Sequence, residues 1–170
     1  MKLIAFALFA TATLHAADPI AVSAFKFSPP EGWASVQPKS PIRKAQLSVP
    51  GKEGGKPAEV VFFHFGGGQG GDVQSNVQRW YAQFAGTADK QKSEAQEWGG
   101  TKVTIVSTEG TLKASPNAGI PEDQPDSALL GAILEHSDGP VFVKMTGPKE
   151  LVNESREKFI ALVKGAAEKK

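Results

Sequence analysis

The run Gly66-Gly67-Gly68-Gln69-Gly70-Gly71 satisfies the letters of the Gly-x-Gly-x-x-Gly loop that lets a backbone approach a dinucleotide's pyrophosphate. It also precedes Asp72 and an apolar-periodic stretch, as such a loop should. The chemistry needs more than glycines. An acid about 20 residues further on should close a second parallel strand and take the ribose hydroxyl, whereas Asp89 and Glu94 fall in a polar stretch beyond the next helix. No lysine stands in the phosphate-loop position. The glycines are therefore read as positions that need positive φ or a tight turn, and no nucleotide cofactor is expected. Backbone N–H groups at the helix start could hold some other anion, but the Asp72 carboxylate already occupies that positive end.

Other reactive residues form no recognisable constellation. His64 and His136 are the two histidines left once His15 departs with a leader, and no His-Glu-x-x-His spacing joins them to a carboxylate as a metal site would require. They read as a hydrogen-bonded strand histidine and an exposed turn histidine. Ser137 neighbours His136, but adjacent strand side chains point apart, and no Gly-x-Ser-x-Gly elbow is present. Glu122, Asp123 and Asp126 lack the spacing of a calcium loop and read as solvated acids. Carboxylate pairs for glycoside chemistry would meet only in space. No catalytic, cofactor or metal residue is assigned, which leaves a hydrolase-type site assembled in three dimensions as the alternative. Trp33 after a turn and Trp98 before Gly99-Gly100 are candidates for partner or ligand contact, together with Gly68 and Gly70 of the glycine loop. The other reading is that the two tryptophans cap the ends of a sheet.

The elements that must position these residues follow from periodicity and punctuation. Strands are expected at 22–28, 44–49, 59–65, 102–112, 129–135 and 141–145, with prolines at 29, 30, 38 and 41 interrupting the first connections. Asp-Gly at 138–139 marks a hairpin between the last two strands. Asp72 caps a helix whose face is Val73, Val77, Trp80, Tyr81 and Phe84, with Gly86 as its C′ residue. Pro148 opens a final helix faced by Val152, Phe159, Val163 and Ala166. Residues 114–127 read as a long surface loop and 88–97 as an exposed polar stretch. The expected class is α+β, a mainly antiparallel sheet of about six strands packed with two amphipathic helices.

Residues 1–17 carry a charged start, a short apolar run and small residues before Asp18, the pattern of a signal peptide. Residues 18–170 then form a single domain, and the protein is expected to be periplasmic or secreted. Without Lys2 the positive and negative side chains balance, so neither nucleic acid nor an anionic membrane is an expected partner, and no integral membrane segment remains. The absence of cysteine excludes disulfides, thiolate metal sites and a lipidated cysteine.

This element order, with the Pro30-Glu31-Gly32-Trp33 turn after the first strand and a hairpin leading directly into the last helix, resembles the PsbP-like α/β/α sandwich. That fold occurs in extrinsic photosystem II subunits and small exported bacterial proteins. The Pro30 to Trp33 turn, Arg79-Trp80 to Phe84, and Leu130-Gly131-Ala132-Ile133 to Thr146-Gly147-Pro148 also look like a family of uncharacterised exported bacterial proteins. The resemblance implies a scaffold or accessory role and transfers no catalytic residue. The functional expectation is a small, exported, non-enzymatic protein that binds a protein or small ligand of the cell envelope through sheet-end loops.

Overall fold

The computed structural model describes residues 17–86 and 88–168, so the leader expected at 1–17 lies outside the described residues except for Ala17. The strand expected at 22–28 is broken, because Ser23 takes φ +51° and reverses the chain. Two short strands result, β1 (Ile20–Val22) and β2 (Phe25–Phe27), paired antiparallel as a separate ribbon. Val22, Phe25 and Phe27 are its buried side.

The main sheet has eight strands, more than the six expected. They are β3 (Ala34–Ser35), β4 (Arg43–Val49), β5 (Ala58–His64), β6 (Phe84–Ala85), β7 (Lys92–Trp98), β8 (Thr101–Leu112), β9 (Gln124–Leu134) and β10 (Val141–Pro148). Their order is β3-β4-β5-β10-β9-β8-β6, with β7 also on β8, and every pairing is antiparallel. The additional strands are those whose side chains carry no alternation. β7 lies in the stretch read as merely polar; it bonds to β8 along its whole length while all but Trp98 stays exposed. Its Lys92, Glu94 and Glu97 put charges on a free edge, which discourages pairing with another chain. β9 begins inside the segment expected to be loop, so that the loop is shorter than its prolines suggested.

Among the described residues three α-helices cover this sheet, where two were expected. Asp72 does cap α1 (Val73–Tyr81), accepting from the Ser75 N–H at 2.8 Å. Gly86 is not its C′ residue, because α1 stops before Phe84 and the chain enters β6. The final helix is divided at Ser155 into α2 (Lys149–Glu154) and α3 (Arg156–Glu168), and Pro148 ends β10 as the N-cap of α2. Alternation along the strands divides the interior into two cores. On one face α2, α3 and the β1–β2 ribbon enclose Leu47, Val60, Phe62, Val103, Leu130, Val143, Met145 and Phe159. On the other, α1 lays Val77, Trp80 and Tyr81 over Val106, Leu129, Ile133 and Phe142. The architecture is thus helix, sheet and helix pair in three layers. No described helix is long and apolar enough to cross a membrane.

Candidate functional site

The glycine loop leaves β5 and enters α1, but β5 lies between β4 and β10 in antiparallel pairing. The unit therefore lacks the parallel strand that a dinucleotide fold places beside its glycine loop. Gly66, Gly68, Gly70 and Gly71 all have positive φ, so side chains are excluded for backbone reasons. Gly70 has a further reason: a Cβ there would lie 3.1 Å from ring atoms of both Phe65 and Phe142. The loop is fixed to α1 by the buried Asn76, whose amide donates to the Gly70 and Asp72 carbonyls at 2.7 and 2.9 Å. Hydrogen bonds from the Ser75 hydroxyl and N–H hold the Asp72 carboxyl below its ordinary pKa. The loop abuts the β9–β10 hairpin, where a Cβ on Gly139 would collide with the Gly66 carbonyl. Of the two glycines singled out in the sequence, Gly68 is exposed with open space around it, and Gly70 is a packing position.

The tryptophans separate. Trp33 is 3 % exposed and packs into the helix-pair core, so it offers no surface to a partner. Trp98 is half-buried against the same core, beside the Gly99-Gly100 turn that the end of α3 overlies. Both pack against the core under the helix pair. The histidines also have structural neighbours. His64 Nδ1 donates to the Pro140 carbonyl at 3.2 Å, and His136 meets the Phe25 ring edge-on at 5.7 Å while its Nδ1 accepts from the Asp138 N–H. Among the described residues no group of three His, Asp or Glu side chains is placed to share a metal ion.

Three surfaces that periodicity did not reveal remain. At the sheet end beside the glycine loop, Phe65 is 45 % exposed and stacks on Phe63 with ring centroids 6.3 Å apart. Ile42, 58 % exposed, reaches the same end, because Arg43 stands opposite Phe63 in the β4–β5 register. A second surface is a cavity of about 440 Å³ between the β7–β8 edge and the α2–α3 joint. Lys92, Glu94, Ser107, Glu109, Asn153 and Arg156 line it over a floor of Leu130 and Val152.

The third surface is the part of the sheet that α1 leaves uncovered. Lys144 sits there in the middle of β10, with Val61 of β5 directly opposite and Gln46 of β4 beyond it. Lys144 donates to Gln83 Oε1 at 3.0 Å. Arg43 donates to Gln46 Oε1 at 2.8 Å and to Glu59 Oε2 at 3.3 Å, and Lys39 also pairs with Glu59. Burial and the nearby Arg43 charge pull the Lys144 amine down to a pKa of about 8, with Glu59 opposing them. The sequence did carry one signal for it, a single lysine inside the apolar run Val141 to Met145. Arg43, Glu59 and Gln83 had none, since only pairing brings three separate elements together.

These layers define the class: the chain has a PsbP-like fold. Among solved structures it is similar to the PsbP protein of the cyanobacterium Synechocystis, with a TM-score of 0.53 and 11 % identity over 92 % of this chain and 95 % of that one. It is also similar to a Pseudomonas aeruginosa protein of unknown function, with a TM-score of 0.50 and 14 % identity over 86 % of this chain and 93 % of the other. At these identities the likeness is one of fold. No protein-family profile matches the chain, and no curated protein matches it in sequence.

Proposed function

We propose that this protein is an exported, non-enzymatic accessory protein that binds another protein of the cell envelope through the loops at one end of its sheet. The observation that carries this reading is the exposure of Phe65 and Ile42 together at the end where the 66–71 loop meets the β9–β10 hairpin. Large apolar side chains held at a rigid loop junction contribute binding through area removed from water, at small ordering cost. Asn76 holds the Gly70 carbonyl, and the close approach of Gly139 to Gly66 packs the hairpin against the loop. A photo-cross-linking amino acid at position 65 is expected to capture one dominant envelope protein in cells, and the same group at exposed position 95 on the far edge none. Equal, diffuse labelling from both positions would refute the sheet-end surface. N-terminal sequencing of the mature protein is expected to begin near Ala17 or Asp18; recovery of Met1 in most molecules would remove the export reading.

The hydrolase reading takes its support from Glu94 and Glu109, which line the same cavity. Glu94 is exposed and Glu109 only half-buried, so the pair lacks the water-excluding enclosure that acid–base catalysis uses. Hydrolysis of model glycoside or ester substrates that disappears in Glu109→Gln would promote this second reading over the first.

A further inference from the structure

From the polar strip of sheet that α1 does not reach we infer that the partner presents an acidic peptide segment, with a carboxylate seated on Lys144 while its apolar residues meet Phe63 and Phe65. This deepens the sheet-end reading above and rests on it. The first ground is a local charge imbalance: Lys39 and Arg43 both pair with Glu59, the one carboxylate that acts on Lys144, in a domain whose positive and negative side chains are equal in number once Lys2 is left out. Glu59 is already engaged by Lys39 and Arg43, so the Lys144 ammonium has a single neutral acceptor, Gln83, for its three donors. A half-buried ammonium beside a guanidinium is costly without a carboxylate in direct contact, and one arriving from outside would relieve the Lys144 charge.

The second ground is geometric. Val61 is buried yet belongs to neither apolar core. Its flanking positions are Lys144 and Gln46, so this strip of sheet is roofed by polar side chains where α1 roofs the rest. Alternation then carries the strip along β5 from Glu59 through Val61 and Phe63 to the exposed Phe65. Charged and aromatic contacts therefore follow one another along a single strand. That order suits an extended chain bearing acids next to an apolar anchor better than a point anion, and cationic rims of this kind set partner choice by charge complementarity.

The test is a titration of the isotope-labelled protein, followed by NMR at the Lys144 side chain and at the β5 and β10 amides. The probes are the peptide acetyl-Asp-Glu-Phe-Leu-Asp-Glu-amide, its Asn/Gln counterpart, inorganic phosphate, and vesicles of phosphatidylglycerol. The acidic peptide is expected to saturate with a Kd below about 1 mM and to weaken with added salt, and its neutral counterpart to bind at least about tenfold more weakly. Lys144→Met should lower the acidic peptide's affinity about tenfold or more with the fold retained by circular dichroism. Should that variant unfold, the Lys144 signal of the unaltered protein still decides the matter. An unmoved Lys144, equal binding of both peptides, or a response to phosphate or vesicles without one to the peptide would overturn the inference. Loss of cross-linking at position 65 with peptide binding intact would instead count against the sheet-end reading.

Discussion

Under α2 and α3, the strands from β4 to β8 all turn apolar side chains inward, from Leu47 and Val49 through Phe62, Val143 and Leu130 to Val103 and Ile105, and Phe159 fills the space above them. On the opposite face the α1 core takes in β8, β9, Phe142 of β10 and Phe63 of β5, and the area beyond it is held by Lys144, Arg43, Gln46 and Glu59. The two faces belong to the same strands, so strand propensity cannot account for the contrast. What differs is the covering element: a nine-residue helix on one side, against two helices and a ribbon on the other. Apolar burial is concentrated where covering is complete, and beyond the short helix polar side chains take its place.

The most severe test of this contrast is Phe159→Ala, expected to cost about 3–5 kcal/mol in a denaturant titration because the ring is wholly buried. A loss below about 1 kcal/mol would mean that the helix-pair face does not carry the stability. Next comes the pH dependence of Lys144. Its folded pKa of about 8 lies below the ordinary 10.5, so the unfolded chain holds that proton more tightly. The contribution is therefore complete above the ordinary value and lost as pH falls through about 8. Discounted for partial solvent access, the gain between those limits should be roughly 2 kcal/mol relative to Lys144→Met. Matching pH profiles for the two proteins would show that the uncovered face bears no such strain.

Gly131→Ala is expected to cost about 1–3 kcal/mol, since its new Cβ would drive into the Trp80 ring that rests on this glycine. A neutral result would imply that α1 is loosely seated and that the faces differ even more than described. The smallest effect is expected for Gly68→Ala, about 1 kcal/mol from its φ of +70°, with nothing nearby to collide with. Calorimetric titration with NAD, FAD and ATP should show no binding before or after the change. Saturable nucleotide binding lost on Gly68→Ala would restore the loop to a cofactor role.

Particular residues show how far the sequence could be read. A continuous apolar run placed β5, alternation placed β8, Asp-Gly placed the β9–β10 hairpin, and Asp72 placed the start of α1 within its first residue. Strand β7 escaped because an edge strand is held by backbone hydrogen bonds and needs no apolar side chain. The ribbon escaped because its reversal rests on one serine at positive φ, which no glycine or asparagine announced. Trp33 was a surface candidate only while its turn was considered apart from the core that closes over it.

By itself, then, the sequence determined the mainly antiparallel α+β class and the apolar faces of the helices. Each of these depends on neighbours a few residues apart, which periodicity and turn chemistry record directly. Only the tertiary structure decided that Lys144, Arg43, Glu59 and Gln83 meet, that Phe65 and Ile42 share one sheet end, and that Glu94 and Glu109 line one cavity. Those encounters depend on strand order and on how far α1 extends, which pairing and packing across long sequence separations settle and no local pattern encodes.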